Sequence, residues 1–385
     1  MKKQDIIIIG AGASGLMAAY AAARQDKNVL VLNNTLMPAQ KVTISGGGKC
    51  NFSNRHMSSE KYVSHNPHFC KSALARYRPD DFIKLLEENN ISWEERAGGK
   101  LFSVSGKEIA AMLIHRAQKA GAQIRTGVCV KSVHKEEAFY IQTDKGNFES
   151  DAVIVASGGT SFAKLGATSA GLKIAQDFGL NVIPVRPALT AFLFPDDLRD
   201  AYAALAGVSV CGQIFVQNKS FVGDILFTHK GISGPAVLTA SLYWQAGGEI
   251  KIDFMPGVDH DTLLRGGKTF LSAVSSVLPK KLAAVLLAGK DRDIANATKL
   301  EKAEAMKTLR AFCYTPKGLE GYDKAEVMAG GVDTKHIDGA TMQCRSVPGL
   351  YFCGEVLDVT GWLGGYNLHW AWASGTAAGL AAGKF

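Results

Sequence analysis

The chain opens on a run of isoleucines, Asp5–Ile9, that leads without a break into Gly10-Ala11-Gly12-Ala13-Ser14-Gly15. A continuous β-branched run of this length reads as a parallel strand covered on both faces. The segment Ala13–Gln25 is rich in small helix formers, and Asn28–Leu32 ("NVLVL") reads as a second strand. Strand, glycine turn, helix and strand make a βαβ start, which few folds accept. In that setting the first glycine makes the tight turn and the second lets a pyrophosphate approach the backbone. The third lets helix and strand pack closely, while the helix N-terminus at Ala13 and Ser14 attracts negative charge. A dinucleotide is therefore expected. The same pattern calls for an acid at the end of the second strand, to bind ribose hydroxyls. The sequence offers Asn33 and Asn34 instead. An amide oxygen still accepts a hydrogen bond but lacks the carboxylate charge that would exclude a 2′-phosphate. At this point FAD, NAD and NADP all remain open.

At 385 residues the chain exceeds a usual single core, so two structural units are expected. Helical patterns cover Asp80–Asn90 and Lys107–Ala120, short strands run between Gln123 and Phe148, and "DAVIVASGG" (Asp151–Gly159) is another buried strand ending in glycines. From about residue 191 the character changes. Strand-like pieces (Val208–Val216, Phe221–Phe227, Glu249–Phe254) alternate with helical ones (Pro235–Trp244, Asp261–Ser276, Lys299–Phe312). This predicts an inserted substrate or cap domain over 191–324, β-rich over 191–258 and helical over 259–324. The last sixty or so residues return to strand-then-helix grammar, with "GLYFCGE" as a strand and Asn367–Ala382 as a helix. The first domain is thus expected to be discontinuous, 1–190 with 325–385, and of α/β, Rossmann-like class.

The C-terminal part narrows the cofactor. Val347–Gly379 contains a strand ending in Gly354-Glu355, a short loop with Asp358, and then Gly364-Gly365 opening a helix through Tyr366, Asn367 and Leu368. In flavoproteins built on this grammar the acid holds the ribityl chain or the phosphate region. The helix N-terminus faces the pyrimidine end of the isoalloxazine, where reduced flavin carries negative charge. "VASGG", with Ala156, Ser157 and Gly158, is the strand-end crossing that completes the set. These elements in order favour FAD over a resident nicotinamide. No second Gly-x-Gly-x-x-Gly stands in the middle of the chain, so any NAD(P)H is expected to bind transiently.

Five ordered motifs carry a resemblance: the N-terminal fingerprint, "SGGGKCNFSN", "LFTHKGISGPAVL", "AGGVDTKHID" and "GLYFCGEVLDVTGWLGGYNLHWAW". Together they resemble the BaiN/RdsA-type family of bacterial NAD(P)/FAD-dependent oxidoreductases over essentially the whole chain. That family includes a ribosomal RNA dihydrouridine synthase and a bile-acid-reducing relative, and some related sequences are described as amine oxidases. The "TGWLGGYN" version looks most like the rRNA-modifying branch. The resemblance implies FAD contacts from the residues above and also from Lys41, Ser45, Gly46, Gly47, Gly48 and Val128. It implies reduction of a carbon–carbon double bond with NAD(P)H, the substrate being a specific uridine of 23S rRNA. A small-molecule flavoenzyme (enone or steroid-type reductase, or amine oxidase) and a non-catalytic flavin-binding redox sensor are the alternatives. Three departures stand out besides a short helical part of the insert. Asn33 replaces the usual acid, "MPAQK" retains only Lys41 of a Gly-Arg-Lys type sequence, and "GGTSFAKLGAT" lacks a proline after the paired glycines.

Reducing a uracil ring requires a hydride at one alkene carbon and a proton at the other. Cys50, beside the glycine loop, is one candidate donor, because the unrelated tRNA dihydrouridine synthases use a cysteine. A small buried packing residue is the plainer reading. His229 in "FTHKGISGP" and His369, one turn into the flavin-facing helix, are further candidates, each with a structural alternative. Tyr366, Trp362 and Trp370 are candidates for stacking a base, although core packing suits Trp370 and Trp372 better. The 43 basic against 35 acidic residues leave +8. That balance fits an ordinary basic protein and also the phosphate contacts an rRNA substrate requires. Seven cysteines without CxxC spacing indicate a reducing compartment, and no metal site is expected. The lysine-then-apolar start is too short for a secretory signal, and no apolar run reaches a membrane span. A cytoplasmic protein with no membrane or DNA partner is expected.

Overall fold

Five parallel strands of one sheet end on the same edge. In a computed structural model, which describes residues 3–265 and 268–385, the chain divides into a first unit, Met1–Arg186 with Val327–Phe385, and a second, Pro187–Glu326. In the first unit β1 (Gln4–Ile9) lies between β2 (Val29–Asn33) and the long strand Gly146–Val155, parallel to both. Gln123–Thr126 adds beyond β2, and Leu350–Phe352 pairs in parallel with the last three residues of the long strand. The first half of that strand pairs antiparallel with Phe139–Thr143, which extends the sheet outward to Val130–Lys135. Ile6 to Ile9 and all of β2 are buried, as strands covered on both faces must be.

Helix α1 (Ala13–Ala23) follows β1 as predicted, and the C-terminal helix Tyr366–Ala382 lies against it. The approach is set by small residues. A Cβ on Gly375 would lie 2.3 Å from the Ser14 carbonyl oxygen, and one on Gly379 would lie 2.3 Å from that of Ala18. Four residues apart on a helix, the two glycines share one face. Away from α1 the same helix buries Trp370 and Trp372. The Trp372 indole N–H donates to Phe52 O at 2.9 Å, and its ring stacks on Phe82 with centroids 4.6 Å apart.

The second unit is built on a seven-stranded antiparallel sheet. Its strand order is Phe312–Tyr314, Ile250–Asp253, Ser209–Val216, Lys219–Phe227, Gly231–Ser233, Phe192–Leu193 and Gly318–Leu319. Three expected helices differ. Lys299–Phe312 stops at Arg310, because Phe312 pairs across to Ile252 in the sheet. Pro235–Trp244 ends at Ala240. Asp261–Ser276 is instead His260–Arg265 and Phe270–Val274, with Gly266 and Gly267 outside the described residues. A new N-cap restarts the second piece, where Thr269 Oγ1 accepts from the Ser272 N–H. Five helices, Gln40–Ile44, Lys71–Arg76, Ala170–Asp177, Asp196–Tyr202 and Lys280–Leu286, had no predicted counterpart. Among the described residues no helix is long and apolar enough to cross a membrane.

Gly375→Ala tests the glycine contact. Forcing a methyl against the α1 backbone is expected to cost about 1–3 kcal/mol in denaturant unfolding. Gly321→Ala, at an exposed glycine with open space around it, is expected to be near neutral.

Candidate functional site

The carboxyl ends of β1, β2, the long strand and Leu350–Phe352 carry, in turn, the glycine fingerprint, Asn33, Ala156–Gly158 and Gly354-Glu355. Ligands of open parallel sheets bind outside such an edge. The fingerprint has the spatial character its sequence predicts. Gly10, at φ 107°, turns so close to the long strand that a Cβ would lie 2.4 Å from Ala156 O. A Cβ on Gly15 would lie 1.9 Å from Gly10 O, yet one on Gly12 would meet nothing within 4 Å. The middle glycine therefore leaves the space over the start of α1 open. Gly12 caps α1 with no side-chain hydrogen bond, and the first turn contains no acid. Helix ends of this kind favour an anionic group.

Asn33 does not offer a free side chain to a ribose. It is buried, accepts from Ala11 N–H at 3.0 Å, and donates to Thr35 O and Thr35 Oγ1, both at 2.9 Å. A carboxylate here could take the first bond but could not donate to the Thr35 carbonyl. The amide thus ties the turn to the strand end. Asn34 donates to Gly166 O at 2.7 Å, and Val128 N–H donates to Asn33 O at 2.9 Å. Lys41 and Glu355 meet as the fingerprint's neighbours, Nζ to Oε2 at 2.8 Å, and Glu355 Oε1 accepts from Met328 N–H at 2.9 Å. Gly158 lies beside this carboxylate. A Cβ on the next residue, Gly159, would be 2.7 Å from Glu355 Oε1. Ser157 holds its hydroxyl where a Cβ on Gly171 would fall, 2.1 Å away.

The glycine loop Ser45–Gly48 forms a tight turn with Gly46 and Gly47 left-handed. Ser45 Oγ donates to Val42 O, and a Cβ on Gly47 or Gly48 would meet nothing within 4 Å. Cys50 follows it fully buried, with burial pushing its thiol up to about 12. The side chain packs inward and stays protonated. Strand Asn51–Asn54 then welds this loop to the C-terminal helix. Asn54 donates to Gly364 O at 3.0 Å, and a Cβ on Gly365 would lie 2.1 Å from Ser53 O. With its amide turned to donate to Ser53 O and Leu101 O, Asn51 accepts from Gly365 N–H at 3.2 Å. Asn367 closes the preceding loop by exchanging both amide bonds with the Gly361 backbone. Tyr366 is buried with its hydroxyl on His56 O, and Leu368 is half-buried. Trp370 is core, its indole N–H on Gly354 O at 3.1 Å.

The three proposed proton donors are not brought together. His369 is fully buried, and both ring nitrogens are engaged: Tyr77 O, an acceptor only, takes the Nε2 proton at 3.0 Å, so Nδ1 accepts from Ser53 Oγ at 2.9 Å. Burial lowers its pKa to about 4 despite the Tyr77 bond. A neutral, doubly bonded imidazole is a structural strut. His229 belongs to the second unit, exposed in the turn between Lys219–Phe227 and Gly231–Ser233. Sequence reading passed over His65. The buried Asp358 carboxylate accepts from both His65 N–H (2.8 Å) and Nδ1 (2.9 Å), while the imidazole itself is largely exposed. No local pattern pairs residues so far apart. Ser53 and Asn54 were legible in principle, since three of the four residues of "NFSN" are polar and follow the glycine loop closely.

Two outcomes follow. With His369 at about 4 folded and near 6.5 unfolded, the stability it confers is whole above about pH 6.5 and is lost as pH falls toward 4. His369→Gln should flatten the pH dependence of unfolding in that window by up to about 1.4 kcal/mol per pH unit. At Asp358, the backbone N–H of residue 65 still anchors the carboxylate without the imidazole. His65→Ala should keep the purified protein's flavin content within about twofold, whereas Asp358→Ala should lose it roughly tenfold.

Comparisons with known proteins agree with this architecture. A family model described as the HI0933-like protein Rossmann domain matches residues 4–381. The chain is 41% identical over 389 residues to a ribosomal RNA dihydrouridine synthase of Escherichia coli, covering 98% of this chain and 97% of the relative. To the protein of that name from Haemophilus influenzae it is 42% identical, covering 97% of each. A 3-dehydro-bile acid delta(4,6)-reductase of Clostridium scindens is 31% identical over 98% of both chains. Among solved structures, a 3-ketosteroid-delta4-(5alpha)-dehydrogenase from Rhodococcus jostii aligns with a TM-score of 0.53 at 15% identity, over all of this chain and 97% of its own. A flavocytochrome c3 fumarate reductase aligns at 0.51 and 17%, over all of this chain and 78% of its own. At such identities the likeness shows the fold. The fingerprint, the strand-end crossing and the full-length match together place this chain in the HI0933-like Rossmann-domain family.

Proposed function

We propose that the chain is an FAD-dependent oxidoreductase that takes electrons from NAD(P)H and converts a uridine of large-subunit ribosomal RNA to dihydrouridine. What carries the reading is the near-complete span of the match to two proteins named for that reaction. The site is chemically compatible. The open face of Gly12 and the uncapped start of α1 suit a pyrophosphate, and the tight contacts of Gly10 and Gly15 are those the fingerprint requires. We assign the polyol part to Asp358 and Glu355, whose carboxylates can accept from its hydroxyls, and the ring's pyrimidine end to the N-terminus of Tyr366–Ala382. With Asn33 committed to the turn, ribose recognition rests on backbone groups at the end of β2.

When bound, reduced flavin supplies a hydride to an electron-poor alkene. The chain's own task is to hold the pyrimidine flat beside it and to deliver one proton to the other alkene carbon. Cys50 is fully buried, and both ring nitrogens of His369 are hydrogen-bonded. Neither is assigned that proton. A reductase acting on a small unsaturated ring is the second reading, favoured by the 31% identity to the bile-acid reductase. Uridine reduction and Δ4,6 reduction both saturate carbon–carbon double bonds, so the reaction class is shared and the substrate differs. An rRNA substrate would place the protein in the cytoplasm.

Deleting the gene and mapping dihydrouridine in 23S rRNA tests the substrate. Loss of the modification, restored by the wild-type gene, is expected; an unchanged map sinks the RNA reading. In the same strain Cys50→Ala should restore at least about half of the modification, and complete failure by a folded, yellow variant would return Cys50 to the chemistry. The purified protein should bleach anaerobically with NADH or NADPH.

A further inference from the structure

An open groove of about 400 Å³ lies on the first unit, away from the glycine fingerprint, between the turn after strand Asn51–Asn54 and the short helices Lys71–Arg76 and Pro79–Glu87. Its polar lining is unbalanced: Arg55, Lys71 and Arg78 stand against Asp80 alone, with the hydroxyls of Ser58 and Ser59 between them. Asp80 is already spent. It pairs with Arg55 at 2.7 Å, and Arg55 also reaches Glu95 at 3.3 Å. Lys71 and Arg78 are exposed, and neither has a carboxylate partner among the described residues. Beside the apolar Met57, Leu74, Ala75 and Pro79, two cations with no carboxylate partner among the described residues and two hydroxyls suit the chemistry of phosphodiester oxygens.

The groove also leads somewhere. Ser58, on its wall, caps the turn Ser59–Lys61 by accepting from Glu60 N–H. Lys61 O accepts from Trp362 N–H at 2.9 Å, and the Lys61 ammonium sits 3.9 Å from the centre of the half-buried Trp362 ring. The next strand, Tyr62–Val63, pairs with Thr360–Gly361. From Trp362 only Leu363 intervenes before Gly364-Gly365, the start of the helix assigned to the flavin ring. One short turn of chain thus connects the cationic groove to the reacting end of the site.

The geometry points to this groove as the seat of an RNA backbone: Lys71 and Arg78 neutralise phosphates flanking the target nucleotide, and the Lys61–Trp362 pair lies between them and the site. The inference rests on the RNA reading above and adds to it which surface holds the strand. A strand bound this way would owe its hold to counterion release and so would weaken steeply with salt.

The test uses full-length holoprotein and deproteinised 23S rRNA from the deletion strain, titrated by filter binding from about 50 to 200 mM salt. Lys71→Ala and Arg78→Ala should each weaken binding about 3- to 10-fold and lower the slope of log affinity against log salt by about 1. Flavin content and thermal midpoint should stay at the wild-type values. If wild type binds steeply and the double variant binds identically, the groove assignment is wrong while the RNA reading stands. If wild type does not bind the RNA and the deletion leaves dihydrouridine unchanged, both fall together. Tighter binding of wild type to phosphatidylglycerol vesicles than to the RNA, lost in the double variant, would also overturn the assignment in favour of a membrane surface.

Discussion

Backbone-to-backbone contact at two glycines holds the first unit together. Gly10 presses its turn against Ala156 at the end of the long strand, and Gly15 lets α1 sit directly on the Gly10 carbonyl. Because a Cβ at either place would overlap backbone, no side-chain adjustment could relieve a substitution. The C-terminal helix repeats the device with Gly375 and Gly379 against α1. Residues some 360 positions apart are thereby stacked over the same strand ends. Everything proposed for cofactor binding depends on that stack, since Glu355 and Asp358 reach the edge only because their strand pairs beside the long strand.

A second constraint is polar. Strand Asn51–Asn54 is anchored to the glycine pair at 364 and 365, to the Trp372 indole and to His369. Buried groups require satisfaction, and here several find a partner in the other segment while Tyr77 O, Leu101 O and Gly98 O supply the rest. The arrangement explains why His369 and Asn367, which look chemical in the sequence, are structural in the fold. His369 ties its helix to Ser53 and to Tyr77 O, and Asn367 ties the start of the helix, which has no side-chain cap of its own, to the Gly361 backbone. For the flavin site proposed above, this would give the ring a rigid mount, because a flavin site loses rate when its reacting face is loosely held.

Much of this was legible in the chain. The isoleucine strand, the fingerprint, the "VASGG" crossing and the strand-to-helix C-terminus sit where their patterns place them, since each is a local signal reinforced by burial. The reading failed where tertiary contacts outrank local preference. Phe312 leaves a helical pattern for an edge strand, and five helices of five to eight residues form where the sequence was not read as helical. Cys50 is a sharper case. Its place beside a glycine loop suggested reactivity, but only packing decides whether a thiol faces a ligand or the core, and here it faces the core.

What the sequence alone determined is the class of cofactor the strand edge can accept. A β-branched strand followed by three spaced glycines leaves backbone N–H groups and open space in one arrangement, whatever surrounds them. What only the tertiary structure decided is which polar side chains remain available once the chain has satisfied itself. Asn33, His369 and Asn367 are engaged by partners 2 to 316 residues away, while Lys71 and Arg78 have no carboxylate partner among the described residues. Hydrogen-bond and charge satisfaction is a property of the whole assembled surface, so no stretch of sequence carries it by itself.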